Sequence, residues 1–378
     1  MKRLPLVAAL AAALLPAVPS AAEPIKVGAL VAVTGPAAFL GAPEARTLEM
    51  LVQEVNAKGG VGGRPIQLIL KDTGASPEKA VSFAKQLVEE DKVFAILGPS
   101  TSGESLAVKK IAEDGQTLLL SMAAAEAIVT PVLPWVFKVA PKDSYAVEVI
   151  FHQMKKMGIS RIGLLSSNTG FGKGGKEQVE RLAAEHGITL AVNEVYDKAA
   201  TDLTAEVTKL KQANVQAVLN WSIEPAQSIV VKNVRQLGLT IPIFQSHGFA
   251  NPQYAKAAGP AAEGVIFPAS RIVVADALPA GNPQKPVVEA YRKAYEARYK
   301  EEVSTFGGHA WDAFGILVKA IEQAGPDKAK VRGAVENLKG YVGTAGVFSF
   351  SPTDHTGLSI DAFELCTVKN GHFVPLGG

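Results

Sequence analysis

Two short apolar runs, Val93 to Leu97 and Thr117 to Leu120, each end in a loop of small residues. The first enters Gly98-Pro-Ser-Thr-Ser-Gly103 and starts a helix; the second enters Ser121, Met122 and three alanines. Two parallel strands that end side by side, each followed by a helix, satisfy this pattern. Such loops leave backbone N–H groups uncovered at helix N-termini, where the macrodipole favours an anion. The Ser102 hydroxyl adds one more donor. The stretch is a site for a small carboxylate, and little in it suggests bond-breaking chemistry.

The first residues bear on where that site works. Lys2 and Arg3 precede an apolar stretch, Leu4 to Val18, and then Pro19-Ser20-Ala21-Ala22. This is the layout of a secretory signal peptide cleaved after Ala22, and the apolar run is too short to span a bilayer. A soluble periplasmic protein is the expectation. The single cysteine, Cys366, excludes an internal disulfide framework; its flanks, FELCTV, read as a buried strand. Removal of Lys2 and Arg3 leaves 36 basic against 36 acidic residues. A neutral chain carries no electrostatic footprint for nucleic acid.

More than 350 of the 378 residues remain, beyond what one core usually organises. Strand and helix signals alternate along them. Ile25 to Val33 and Pro65 to Lys71 read as strands, with a helix over Glu44 to Lys58 between them and another over Pro77 to Glu90 beyond. After Asp143 the pattern restarts: helices over 147–157, 176–186, 202–212 and 225–237 alternate with strands over 161–166, 190–196, 217–221 and 243–245. Repeated βα units imply α/β lobes with parallel-type sheets covered on both faces. Pro283 to Lys300 and Gly307 to Gln323 are helical and return to the first lobe. The expected division is a signal peptide at 1–22, a first lobe of 23–140 plus 270–345, and a second of 141–269 plus 346–378. Crossings near Lys138 to Lys142, Pro268 and Thr344 to Phe348 make a three-strand hinge.

The segment IKVGALVAVTGPAAFLGAPEARTLEMLVQEVNAKGGVGGRPIQLILKD (25–72) resembles the opening of Leu/Ile/Val-binding proteins, the type I periplasmic receptors of ABC importers. So do ILGPSTSGESLAV (96–108), SMAAAEA (121–127), KVAPKDS (138–144), SNTGFGKG (167–174) and HAWDAF (309–314). The resemblance runs in order along the whole chain after the signal peptide. It implies two Rossmann-like lobes, a cleft between them and ligand-dependent closure. It also implies that the hydroxyl and N–H of Ser102, with the N–H of Ala125, hold the ligand carboxylate. The carbonyl at Ala123 belongs to a cage for the ligand's ammonium. The other cage positions hold a threonine and an acid in such receptors; here they read Ala125 and His247, with Glu224 as an alternative acid.

Other motifs compete with this reading. Gly170-Phe-Gly172-Lys-Gly174-Gly175 has the dinucleotide-binding spacing, follows a strand and precedes a helix. A secreted protein has no obvious supply of NAD, and the resemblance makes this turn a ligand loop with Phe171 as an apolar wall. Ser100 and Ser102 do not form G-x-S-x-G, and the six histidines show no metal-ligand spacing. His186 and His372 read as solvated loop residues and His309 as packing at a helix start. No cofactor, metal or catalytic group is expected.

Leu40, Phe171, Trp221, Ile223 and Phe306 stand at strand edges or helix starts and fit a cleft for a flat or branched apolar body. With Ala125 and His247 replacing the ammonium cage, a carboxylate without an ammonium fits best, since a buried unpaired ammonium is costly. The chain is thus expected to be a monomeric receptor that delivers an aromatic or 2-oxo acid to the membrane permease subunits of an ABC importer. A branched-chain or other hydrophobic amino acid is the alternative ligand. A ligand-presenting sensory module and, behind it, a secreted enzyme are the readings of another class.

Overall fold

The computed structural model describes residues 22–377. The signal-peptide reading, apart from Ala22, lies outside the described residues. No helix among them is long and apolar enough to cross a membrane.

The first sheet takes strands β1 (Ile25–Val31), β2 (Ile66–Asp72), β3 (Ala95–Leu97), β4 (Leu118–Ser121) and β5 (Val136–Lys138) in the parallel order β2-β1-β3-β4-β5. Helices α1 (Ala38–Ala57), α2 (Pro77–Lys85) and α3 (Ser102–Asp114) connect them. Both faces are covered, so the strands read as continuous apolar runs, as parallel sheets require. Crossovers begin with capped helices. Ser76 caps α2 through the Lys79 N–H at 3.2 Å. Thr101 and Glu104 form a capping box on α3.

Helix α4 (Asp143–Lys156) opens the second lobe, followed by β6 (Arg161–Ser167), α5 (Gly170–Ala183), β7 (Thr189–Tyr196), α6 (Thr204–Gln212), β8 (Ala217–Trp221), α7 (Ala226–Gln236) and β9 (Ile243–Gln245). After α8 (Pro252–Ala258), β10 (Ile266–Ala269) adds a further parallel strand. The chain then returns to the first lobe, where α10 (Thr305–Ala324) packs along α1, preceded by α9 (Lys285–Tyr299) and followed by α11 (Lys328–Glu336). A small hairpin of β11 (Tyr341–Val342) and β12 (Val347–Phe348) follows. Finally β13 (Glu364–Lys369) and β14 (His372–Pro375) complete the second sheet in antiparallel fashion, giving the order β14-β13-β10-β9-β8-β6-β7. The chain is therefore α/β with two Rossmann-like lobes. Cys366 is fully buried in β13, and burial raises its thiol pKa.

Two expectations shift. Helix α1 begins at Ala38, six residues before the expected start, and carries Pro43 inside it. Proline removes the N–H that would bond the Phe39 carbonyl. That carbonyl instead accepts from Asn251 Nδ2 of the second lobe at 2.6 Å. The last crossing also moves. Phe348, Phe350 and Leu358 pack in one core with β1, α1 and α10, because their side chains complete the apolar face of the first lobe. A boundary at 345/346 therefore cuts through a packed unit, and we propose that the last crossing lies between Ala362 and Glu364.

Candidate ligand-binding site

The site grows from the ends of β3 and β4. Ser102 is the first residue of α3, so its side chain and N–H sit where the helix leaves donors unsatisfied. Its Oγ accepts from the Ala125 N–H at 3.2 Å, tying the two small-residue loops together. Ser121 Oγ braces the second loop through the Ala123 N–H at 3.2 Å and Ser105 Oγ at 2.8 Å. Ser100 Oγ accepts from the Ala32 N–H at 3.0 Å and donates to Glu44. Burial holds the Glu44 carboxyl well above the usual range.

A gap of about 280 Å³, open to solvent on one side, lies between these loops and the second lobe. From the first lobe Leu40, Ser102, Ala123, Phe306 and His309 line it; Phe171, Ile223 and His247 face them from the second. Seven of the nine residues singled out from sequence thus meet at one cavity. Two do not line it. Ala125 contributes its N–H to Ser102 from behind. Trp221 is fully buried, with its ring 5.9 Å from Phe171 and 5.8 Å from His247, so it supports the wall instead of forming it. Gly175 makes that possible, since a Cβ there would stand 1.9 Å from Trp221 Nε1.

The glycine run is also placed differently. Gly170 to Gly175 form the first turns of α5, capped by Thr169 Oγ1 on the Gly172 N–H at 3.2 Å. The N-termini of α3 and α5 abut across the lobes. A Cβ on Gly170 would lie 2.6 Å from the Gly103 backbone nitrogen and 2.7 Å from its Cα. A side chain would hold the lobes apart. Glu224, the alternative acid, lines the neighbouring cleft mouth, where its carboxylate accepts from Ser222 Oγ at 2.7 Å and the Ile223 N–H at 3.2 Å.

Three polar residues escaped the sequence reading as members of the site. His309 lines the cavity, Asp143 starts α4 beside His247, and Lys138 ends β5 beneath them. Neither nitrogen of His247 or His309, and neither oxygen of Asp143, has a hydrogen-bond partner among the described residues. Burial and the Lys138 charge bring both histidines down to about 3, so they are neutral. Lys138 Nζ donates to the carbonyls of Ala124 (2.8 Å), Ala140 (2.7 Å) and Pro141 (3.1 Å). Three acceptors match the three N–H bonds of an ammonium, so Lys138 is charged despite the downward push of burial. Burial raises the Asp143 carboxyl to about 7, and the Lys138 charge opposes part of that rise. No group of three or more metal-ligating side chains occurs among the described residues.

Two lobes, a sheet in each, and a small cavity between the ends of their strands define a two-lobe binding protein. The chain belongs to the periplasmic binding protein family, whose profile matches residues 24–371. It is 26% identical over 320 residues, 83% of either chain, to the leucine-, isoleucine-, valine-, threonine- and alanine-binding protein of Pseudomonas aeruginosa. An extracellular ligand-binding receptor from Rhodopseudomonas palustris superposes with a TM-score of 0.88 at 28% identity, covering 93% of this chain and 99% of that one. The fold also matches the branched-chain amino acid transporter substrate-binding protein LivJ of Streptococcus pneumoniae, solved with isoleucine, at a TM-score of 0.80 and 23% identity over 93% and 97% of the two chains.

Proposed function

We propose that this chain is the solute-capturing receptor of an ABC importer in the periplasm, and that its ligand is a small apolar amino acid. The apolar cavity at the α3 N-terminus carries the reading. Ser102 and the loop N–H groups receive the carboxylate, while Leu40, Phe171, Ile223 and Phe306 surround the side chain. The names of the relatives favour branched-chain amino acids over the aromatic or 2-oxo acid expected from sequence. The protein acts as a monomer, closes on its ligand by shifting population toward the form that completes the contacts, hands it unchanged to the permease, and performs no chemistry.

One observation supports the second ligand reading: among the described residues, no carboxylate lines the cavity. Calorimetric competition decides between the two, using leucine, its 2-oxo analogue and benzoate. Leucine binding tightest by at least about tenfold, about 1.4 kcal/mol, supports the amino-acid receptor. The 2-oxo acid or benzoate binding tightest overturns it in favour of the other. The anchor is tested separately. Ser102→Ala is expected to weaken binding by about 1–3 kcal/mol through loss of a charge-assisted hydrogen bond, with the fold intact. Calorimetry showing unchanged affinity contradicts the role assigned to Ser102.

A further inference from the structure

We propose that Asp143 fixes the tautomer of His247 so that a neutral imidazole, instead of a carboxylate, accepts the ligand's ammonium. The inference rests on the amino-acid reading above and names the part of the site that its apolar walls leave unexplained.

His247 lines the cavity, and its ring is enclosed by Phe171 at 5.2 Å, Trp221 at 5.8 Å and Phe363 at 5.4 Å. The turn that carries it is held by Ser246 Oγ on the Gly248 N–H at 3.2 Å. The ring is thus fixed in place, yet both nitrogens lack partners among the described residues. Asp143 Oδ1 stands 3.6 Å from Nε2, just beyond hydrogen-bond distance, and neither carboxylate oxygen is otherwise bonded. A small approach on ligand binding completes this one contact and gives each group one partner.

A carboxylate at Nε2 selects the tautomer with its proton there. Nδ1 then carries the lone pair and is the ring's free acceptor. An ammonium bound in the cavity needs acceptors, and the Ala123 carbonyl supplies one by the resemblance read from sequence. Nδ1 supplies another.

The charges facing the ring agree with a neutral form. Burial comes first, then the Lys138 charge of β5 and His309 of α10, and each pushes the ring toward its neutral form. The α5 and β8 neighbours facing the ring, Phe171 and Trp221, are aromatic. An imidazolium would repel the ammonium; the neutral ring receives it. Asp143 does not line the cavity and acts through His247, so it is a positioning residue.

The test combines nitrogen-15 NMR of the histidine side chains with calorimetry, the His247 signals being assigned with His247→Gln. The leucine-bound wild-type protein is expected to show His247 with its proton on Nε2. In Asp143→Asn that preference is lost and leucine affinity falls by at least about tenfold. Affinity for the 2-oxo analogue of leucine changes less than about threefold, and Asp143→Glu restores both signals toward wild type. His247 found with its proton on Nδ1, or protonated, in the leucine-bound wild type overturns the inference without any variant. Equal losses for leucine and the 2-oxo analogue in Asp143→Asn overturn it as well, because a purely structural role would move both. If the wild type prefers the 2-oxo acid, the amino-acid reading fails by that result, while the wild-type tautomer still decides whether Asp143 sets the ring.

Discussion

Gly170→Ala will abolish tight ligand binding while leaving both lobes folded. The added Cβ meets the Gly103 nitrogen and Cα at 2.6 and 2.7 Å, backbone atoms that cannot swing aside. Overpacking of this kind costs about 1–3 kcal/mol or more, and here the cost falls on the closed form alone. The dissociation constant therefore rises by at least about tenfold. The facing position is a built-in control. A Cβ on Gly103 has nothing nearer than 3.8 Å, an ordinary contact, so Gly103→Ala is expected to bind like wild type. Calorimetry on the pair decides it. Equal affinities for Gly170→Ala and Gly103→Ala contradict a closure that presses these two helix starts together.

Acid will weaken binding, and steeply. In the closed form His247 and His309 have pKa values of about 3, pushed down first by burial and then by the Lys138 charge. Once the cleft opens, water returns and each moves back toward about 6.5. Below about 6.5 the open form thus holds protons that the closed form excludes, so closure and ligand affinity fall as pH falls toward 3. Between pH 7 and 5 the loss approaches about 25-fold per histidine. Burial raises Asp143 to about 7 in the closed form, so its proton uptake on closure offsets part of this slope. Titration calorimetry at a series of pH values checks this. Replacing His309 by glutamine is expected to lower the slope whatever it does to the absolute affinity; a flat profile in the wild type contradicts the account.

Much of this architecture is legible in the chain. The βα alternation, the two small-residue loops and the position of Ser102 follow from local patterns, because strand period, glycine and helix caps act over a few residues. What escaped depends on distant partners. Helix α1 runs through Pro43 because Asn251, more than 200 residues away, satisfies the freed Phe39 carbonyl. Trp221 lies behind the wall because Gly175 clears space for its indole, a matter of helix-on-sheet packing that strand alternation does not report. The assignment of 346–378 to the second lobe failed for Phe348, Phe350 and Leu358 because an apolar segment near a crossing fits either core until the sheet order is known. Asp143 and His309 stand within KVAPKDS and HAWDAF, stretches singled out for resemblance, not chemistry. Only the approach of α4 and α10 to the cavity shows that these side chains are buried without partners.

The central claim is that the two lobes close on a small amino acid. It is tested most directly by the distance between spin labels or fluorophores at Lys79→Cys on α2 and Lys173→Cys on α5, exposed positions on opposite lips of the cleft. The native Cys366 is fully buried and leaves these sites as the reactive pair. Titration with leucine is expected to shorten the distance along the binding isotherm, with Gly170→Ala remaining open at the same concentrations. Saturable binding of leucine with no change in distance contradicts it.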